Sequence, residues 1–86
     1  MKSLIKNYID LLTIDKLKEF ALKNDINLTD NELEYLLDLV KNNYENIIKN
    51  DNKYLEEVKN NINTNEYLKV KELYLYYKNR YKGYLF

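Results

Sequence analysis

Apolar residues recur along this chain at intervals of three and four, the spacing that lines one face of an α-helix. Leu4, Ile5, Tyr8, Ile9, Leu11 and Leu12 form the first such face, a short helix that Thr13 ends. Thr13 also reads as the N-cap of a second helix, Ile14 to about Lys23. That helix carries Ile14, Leu17, Phe20 and Ala21 on one side before Asn24 and Asp25 stop it.

The sharpest local signal is Leu28-Thr29-Asp30-Asn31-Glu32-Leu33. Thr29 and Glu32 have capping-box spacing, each side chain satisfying a backbone donor that the first turn leaves free. Leu28 and Leu33 are placed to close over them as a hydrophobic staple. The stripe Leu33, Leu36, Leu37, Val40, Tyr44 and Ile47 extends this helix to about residue 48 and makes it the central one. Asn50, Asp51 and Asn52 interrupt it. A fourth helix, starting at Asp51, turns Leu55, Val58 and Ile62 inward, and Asn60-Asn61 predicts fraying at its end. Asn63 and Glu66 repeat the cap spacing, with Ile62 and Tyr67 as staple, and open a fifth helix over about 64–82. Gly83 follows, where a helix C-terminus favours glycine. Connections of two to five residues predict antiparallel neighbours in a compact array. The expected fold is all-α: about five short helices around one core, in a single helical domain spanning 1–86.

Length and composition agree with that expectation. Eighty-six residues suit one core, and a domain of this size buries only about 60–65 per cent of its unfolded surface, which predicts modest stability. The lack of Pro and the single Gly favour uninterrupted helices. Asn, Tyr and Lys are abundant while Arg occurs once, a bias that AT-rich codons produce, so their positions carry more meaning than their numbers.

With no Cys and no His, disulfides, thiol chemistry and the usual zinc, copper and iron–sulfur ligands are absent from the sequence. The run after Met1-Lys2-Ser3 is broken by Lys6, Asn7 and Asp10, unlike a signal peptide or a membrane span. The expected location is cytoplasmic.

Catalysis has little to work with. The nucleophiles outside cap positions, Ser3 and Thr64, have no base near them in sequence. The carboxylate pairs Glu32 with Glu34 and Glu56 with Glu57 lie on helical stretches where charge faces water. One glycine does not make a phosphate loop. Asp25, Asn27, Thr29 and Asn31 alternate like the first half of an EF-hand. The sixth and twelfth positions of that loop are Asp30 and Leu36 instead of Gly and Glu, so calcium does not fit. The chain reads as a non-enzyme with no cofactor, metal or small-molecule substrate.

Charge redirects attention to binding. Residues 67–86 hold Lys69, Lys71, Lys78, Arg80 and Lys82 against Glu72 and so carry +4; the rest of the chain carries −4. At 100° per residue, Tyr67, Val70, Tyr74, Tyr77 and Tyr81 share one stripe of the last helix, with Lys71, Lys78 and Lys82 on its flank. Such a pairing suits phosphate neutralisation with base stacking. The same stripe also reads as the buried face of a closing helix, its phenol oxygens at the rim. Tyr76 points away from it, and Tyr84 and Phe86 lie past the helix end, which makes these three interface candidates. Asp30, Glu34, Asp38 and Glu45 give the middle of the chain an acidic face.

The run Leu12-Thr13 with Leu17, then Phe20-Ala21-x-Lys23 and Ile26-x-Leu28-Thr29-x-x-Glu32, resembles the small all-helical proteins of unknown function from low-GC Gram-positive bacteria, of the YqfT type. Asn46-Ile47, Val58 and the apolar beats of the final helix are similar in spacing. The resemblance implies an α-helical fold and a cytoplasmic bacterial home, and it transfers no catalytic residue. Residues 74–86, rich in Tyr and Lys, are where this chain departs from that pattern.

Three readings of function follow. The first is a protein-interaction or regulatory module, with self-association among its forms, using Lys71, Tyr76, Lys78, Arg80, Lys82, Tyr84 and Phe86. The second is nucleic-acid binding through the basic last helix. The third is an acidic inhibitor whose surface imitates nucleic-acid phosphates.

Overall fold

The computed structural model describes the backbone of residues 2–80 and the side chains of residues 6–80. Five helices follow one another: α1 (Lys2–Asp10), α2 (Ile14–Lys23), α3 (Asp30–Lys49), α4 (Asp51–Asn61) and α5 (Thr64–Arg80). The fold is all-α, and α3 and α5 are the longest helices, as the apolar spacing predicts. The Cα radius of gyration is 12.3 Å, close to the roughly 12 Å expected of a compact chain this long.

Each boundary has a local cause. Thr13 Oγ1 accepts the Lys16 N–H at 3.2 Å and starts α2. At the other end of α2 the Ile26 N–H reaches back to the Ala21 carbonyl at 2.9 Å and the Asp25 N–H to that of Leu22 at 3.1 Å, a Schellman motif. Its left-handed position is held by Asp25, at φ 59°, where glycine would be least strained. Ala21 and Ile26, the residues that motif brings together, are both buried.

Thr29 and Glu32 make the expected capping box: Thr29 Oγ1 accepts the Glu32 N–H at 3.1 Å and Glu32 Oε1 accepts the Thr29 N–H at 2.9 Å. Leu33, just inside, is fully buried. The rest of the predicted stripe is graded. Leu36 is buried, whereas Leu37, Val40, Tyr44 and Ile47 are half-buried, because neighbours cover the second half of α3 only on part of its face.

Helix α3 is the hub, packing against α1, α2 and α4, while α5 packs on α4. Leu36, Val58, Ile62 and Tyr67 form the core cluster, flanked by Leu17, Leu28, Tyr35, Leu39 and Val70. Lys41 Nζ donates to the Asp10 carbonyl at 3.2 Å and ties the end of α1 to α3.

Some expectations need correction. The connections are not all two to five residues: residues 24–29 form one of six, and Asn50 alone separates α3 from α4. Helix α4 does start at Asp51, as expected, with Asn50 before it as an N-cap that makes no side-chain cap bond and the Asp51 carboxylate turned toward α5. The inward face of α4 is accordingly Tyr54, Val58 and Ile62, with Leu55 only half-buried. Helix α4 ends at Asn61, whose Nδ2 donates to the Glu57 carbonyl at 2.7 Å and to the Tyr35 hydroxyl at 3.4 Å.

A further correction concerns α5. Asn63 Oδ1 caps it by accepting the Asn65 N–H at 2.9 Å, but Glu66 does not close the box. The Asn63 N–H instead donates to Glu32 Oε2 at 2.7 Å, and Glu66 Oε2 accepts the N–H of Asn27, ahead of α3, at 3.1 Å. Each glutamate serves the start of the other's helix. Glu32 is consequently half-buried and not part of a solvated carboxylate pair, unlike exposed Glu34, Glu56 and Glu57.

Candidate functional site

The Tyr-rich face of α5 changes character along its length. Near the start Tyr67 is 6% exposed; Val70 and Tyr74 are half-buried; Tyr77 is 37% exposed. The stripe is thus core at one end and surface at the other. Tyr81, Lys82, Gly83, Tyr84 and Phe86 lie outside the described residues, as do the side chains of Leu4 and Ile5.

The later turns of α5 are anchored on the start of α4. Lys78 Nζ pairs with the Asp51 carboxylate, and the Tyr74 hydroxyl donates to the same carboxylate at 3.4 Å. Lys78 keeps the Asp51 carboxyl below its ordinary range, against the opposing pull of partial burial. Burial and then the Asp51 charge push the Tyr74 phenol up to about 12. Of the predicted basic flank, Lys71 faces solvent, while Lys78 is engaged with Asp51 and Lys82 is beyond the described residues. Exposed Arg80 donates to the Tyr76 hydroxyl at 2.9 Å.

Where α5 leaves its cover, three exposed rings meet. Tyr76 and Tyr77 stand edge-to-face with centroids 5.2 Å apart, and Phe20 of α2 packs on Tyr77 at 5.8 Å. Tyr76 is 55% exposed and Phe20 37%. Beside them runs an open groove of about 360 Å³ between the Schellman turn of α2, with Asp25 and Ile26, and the α5 residues Lys69, Glu72, Leu73 and Tyr76. The sequence reading selects Tyr76 here but not Phe20, Asp25, Lys69, Glu72 or Leu73. These meet only because the end of α2 docks beside α5, a relationship without local signature in the chain.

Lys69 forms the floor of that junction. Its ammonium donates to the Asp25 carbonyl at 3.0 Å and stands 3.7 Å from both the Asp25 and Glu66 carboxylates. Asp30, Glu34, Asp38 and Glu45 are exposed on α3, as the acidic-face reading expects.

Among the described residues no cluster of three or more Asp and Glu is arranged to hold a metal ion, and no helix is long and apolar enough to cross a membrane. Compared with models of known families, with characterised proteins and with solved structures, the chain matches none.

Proposed function

We propose that the chain is a non-enzymatic protein-interaction module whose contact surface is the aromatic edge where α5 meets the end of α2. One observation carries this reading: Phe20, Tyr76 and Tyr77 pack on one another yet remain open to solvent beside a groove. Exposed aromatic rings held in place by their neighbours lose little freedom when a partner covers them, the reason such residues concentrate at contact surfaces. Arg80, bonded to Tyr76, supplies a polar rim.

The nucleic-acid reading draws on exposed Lys71 and Arg80, but the ion pair between Lys78 and Asp51 takes the middle cation out of the basic strip. The interaction reading therefore has the better support. A cytoplasmic bacterial setting and kinship with the YqfT-type proteins belong to the same proposal and rest on the sequence resemblance.

Photo-crosslinking tests the surface. A crosslinker at position 76 is expected to capture a defined protein adduct in cell extract that a crosslinker at Glu34, on the acidic face, does not. The adduct should disappear when Tyr77→Ser is added. Equal capture from both positions would overturn the assignment. Nuclease-sensitive adducts at position 76 would favour the nucleic-acid reading instead.

A further inference from the structure

We propose that the groove between the end of α2 and α5 receives a positively charged side chain, lysine or arginine, from a basic amphipathic segment of a partner protein. The proposal rests on the aromatic edge being a contact surface and adds the chemistry of what it contacts.

Charge carries the first step. Three carboxylates gather at the junction, those of Asp25, Glu66 and Glu72, against the single ammonium of Lys69. Lys69 is already held by the Asp25 carbonyl and by its two carboxylate neighbours. Helix α2 also ends here, and a helix C-terminus carries a partial negative charge of about half a unit. The junction is therefore left negative. Of the other nearby cations, Lys23 is 3.3 Å from Glu19, and Arg80 donates to the Tyr76 hydroxyl at the aromatic end.

The rings supply the second step. Tyr76 lines the groove beside Glu72, and the face of a tyrosine ring attracts an ammonium or guanidinium through its quadrupole. A cation seated near Asp25 and Glu72 shares the groove with this ring. The apolar neighbours of that cation in an amphipathic segment then meet Leu73, Tyr77 and Phe20. Polarity along the groove is thus defined, with charge toward the α2 turn and apolar contact toward the rings.

Size agrees. A space of about 360 Å³ is at the lower end for ligand pockets, and its open form suits side chains of a docked segment better than an enclosed small molecule. A phosphate would face the carboxylates of Asp25 and Glu72, which makes nucleic acid the wrong occupant for this groove.

The test uses the full chain, isotopically labelled, titrated with three probes: a short helical peptide of Leu, Ala and Arg with amphipathic spacing, its counterpart with Glu for Arg, and a single-stranded RNA oligonucleotide. The Arg peptide alone should shift the backbone amides of residues 24–26 and 69–76, with an affinity that falls as salt rises. Glu72→Lys, at an exposed position that leaves the fold intact, should weaken that binding roughly fivefold or more. No shift with the Arg peptide, equal shifts with the Glu peptide or RNA, or unchanged affinity in Glu72→Lys would overturn the proposal. If the position-76 crosslink persists while any of those results is found, the aromatic surface stands and only the cation falls.

Discussion

The carboxylate of Glu32 holds the backbone N–H of Asn63 at 2.7 Å across 31 residues of chain, while its other oxygen closes the cap of its own helix on Thr29 at 2.9 Å. One side chain thereby anchors the first turns of both α3 and α5. Thr29→Ala, which removes a single cap bond, should cost about 1 kcal/mol. Glu32→Ala should cost more, about 2–3 kcal/mol, since two backbone donors lose a charged acceptor. Denaturant unfolding monitored by helical circular dichroism checks the order. Hydrogen exchange adds a site-specific readout: the Asn63 amide is protected in the parent chain and exchanges freely in Glu32→Ala.

Acid should dissolve the same link. Partial burial of Glu32 opposes its ionisation, but hydrogen bonds from the Thr29 and Asn63 backbones outweigh that and hold its carboxyl below the ordinary 4.5. Asp51 is likewise held below 3.8 by Lys78. A carboxyl lowered in the folded state contributes stability that is present above its unfolded value and is lost as pH falls through the folded one. Stability should therefore be level above about pH 5 and decline through the acidic carboxylate range. Glu32→Gln should flatten part of that decline. Thermal melts across acidic pH decide the matter: identical slopes for both chains would refute the assignment.

Alkali acts on a different contact. Tyr74 is raised from 10.0 to about 12. A phenol raised on folding contributes stability that is complete below pH 10 and lost as pH climbs toward 12. Asp51→Asn removes the negative neighbour and should bring the Tyr74 value down, visible as earlier phenolate absorbance in a spectrophotometric titration. A Lys78→Met change should cost about 1–3 kcal/mol, chiefly because Asp51 is left half-buried without its cation.

At the end of α2 the expected effect is stabilising. Asp25 occupies a left-handed position at φ 59°, which costs a non-glycine residue up to about 1–2 kcal/mol. The carboxylate itself is largely exposed and 3.7 Å from Lys69, a contact worth little. The bond from Lys69 uses the Asp25 backbone carbonyl and survives substitution. Asp25→Gly should raise stability by about 0.5–1 kcal/mol, and Asp25→Val should lower it. Melting temperatures of the two variants check the sign.

Helix positions were legible where their causes are local. Thr13 and Thr29 announce starts by cap chemistry within a few residues, and the stripe from Leu33 to Ile47 locates α3. Partners distant in sequence were not legible. Asn63 and Glu66 have the spacing of a closed box, yet the Asn63 N–H goes to Glu32 and Glu66 accepts from Asn27, because the starts of α3 and α5 are packed together. On α4 the spacing is equally good for Leu55 and for Tyr54. What chooses Tyr54 is the pairing of Asp51 with Lys78 on a helix 27 residues away. At the candidate surface, Tyr76 could be picked out by its angle on the α5 wheel, whereas Phe20 reads as core from the α2 face. Its exposure follows from α2 lying at the edge of α5 instead of beneath it.

Asn50 imposes a constraint on how this chain can vary over generations. It alone joins twenty helical residues to eleven more. A single inserted residue would turn everything beyond it by about 100°, swinging Asp51 away from Lys78 and Tyr54 out of the core. Length changes accumulate where backbone is exposed and lightly bonded. The corner at Asn50 has no such slack, so descendants of this sequence should exchange its residue type far more readily than its length.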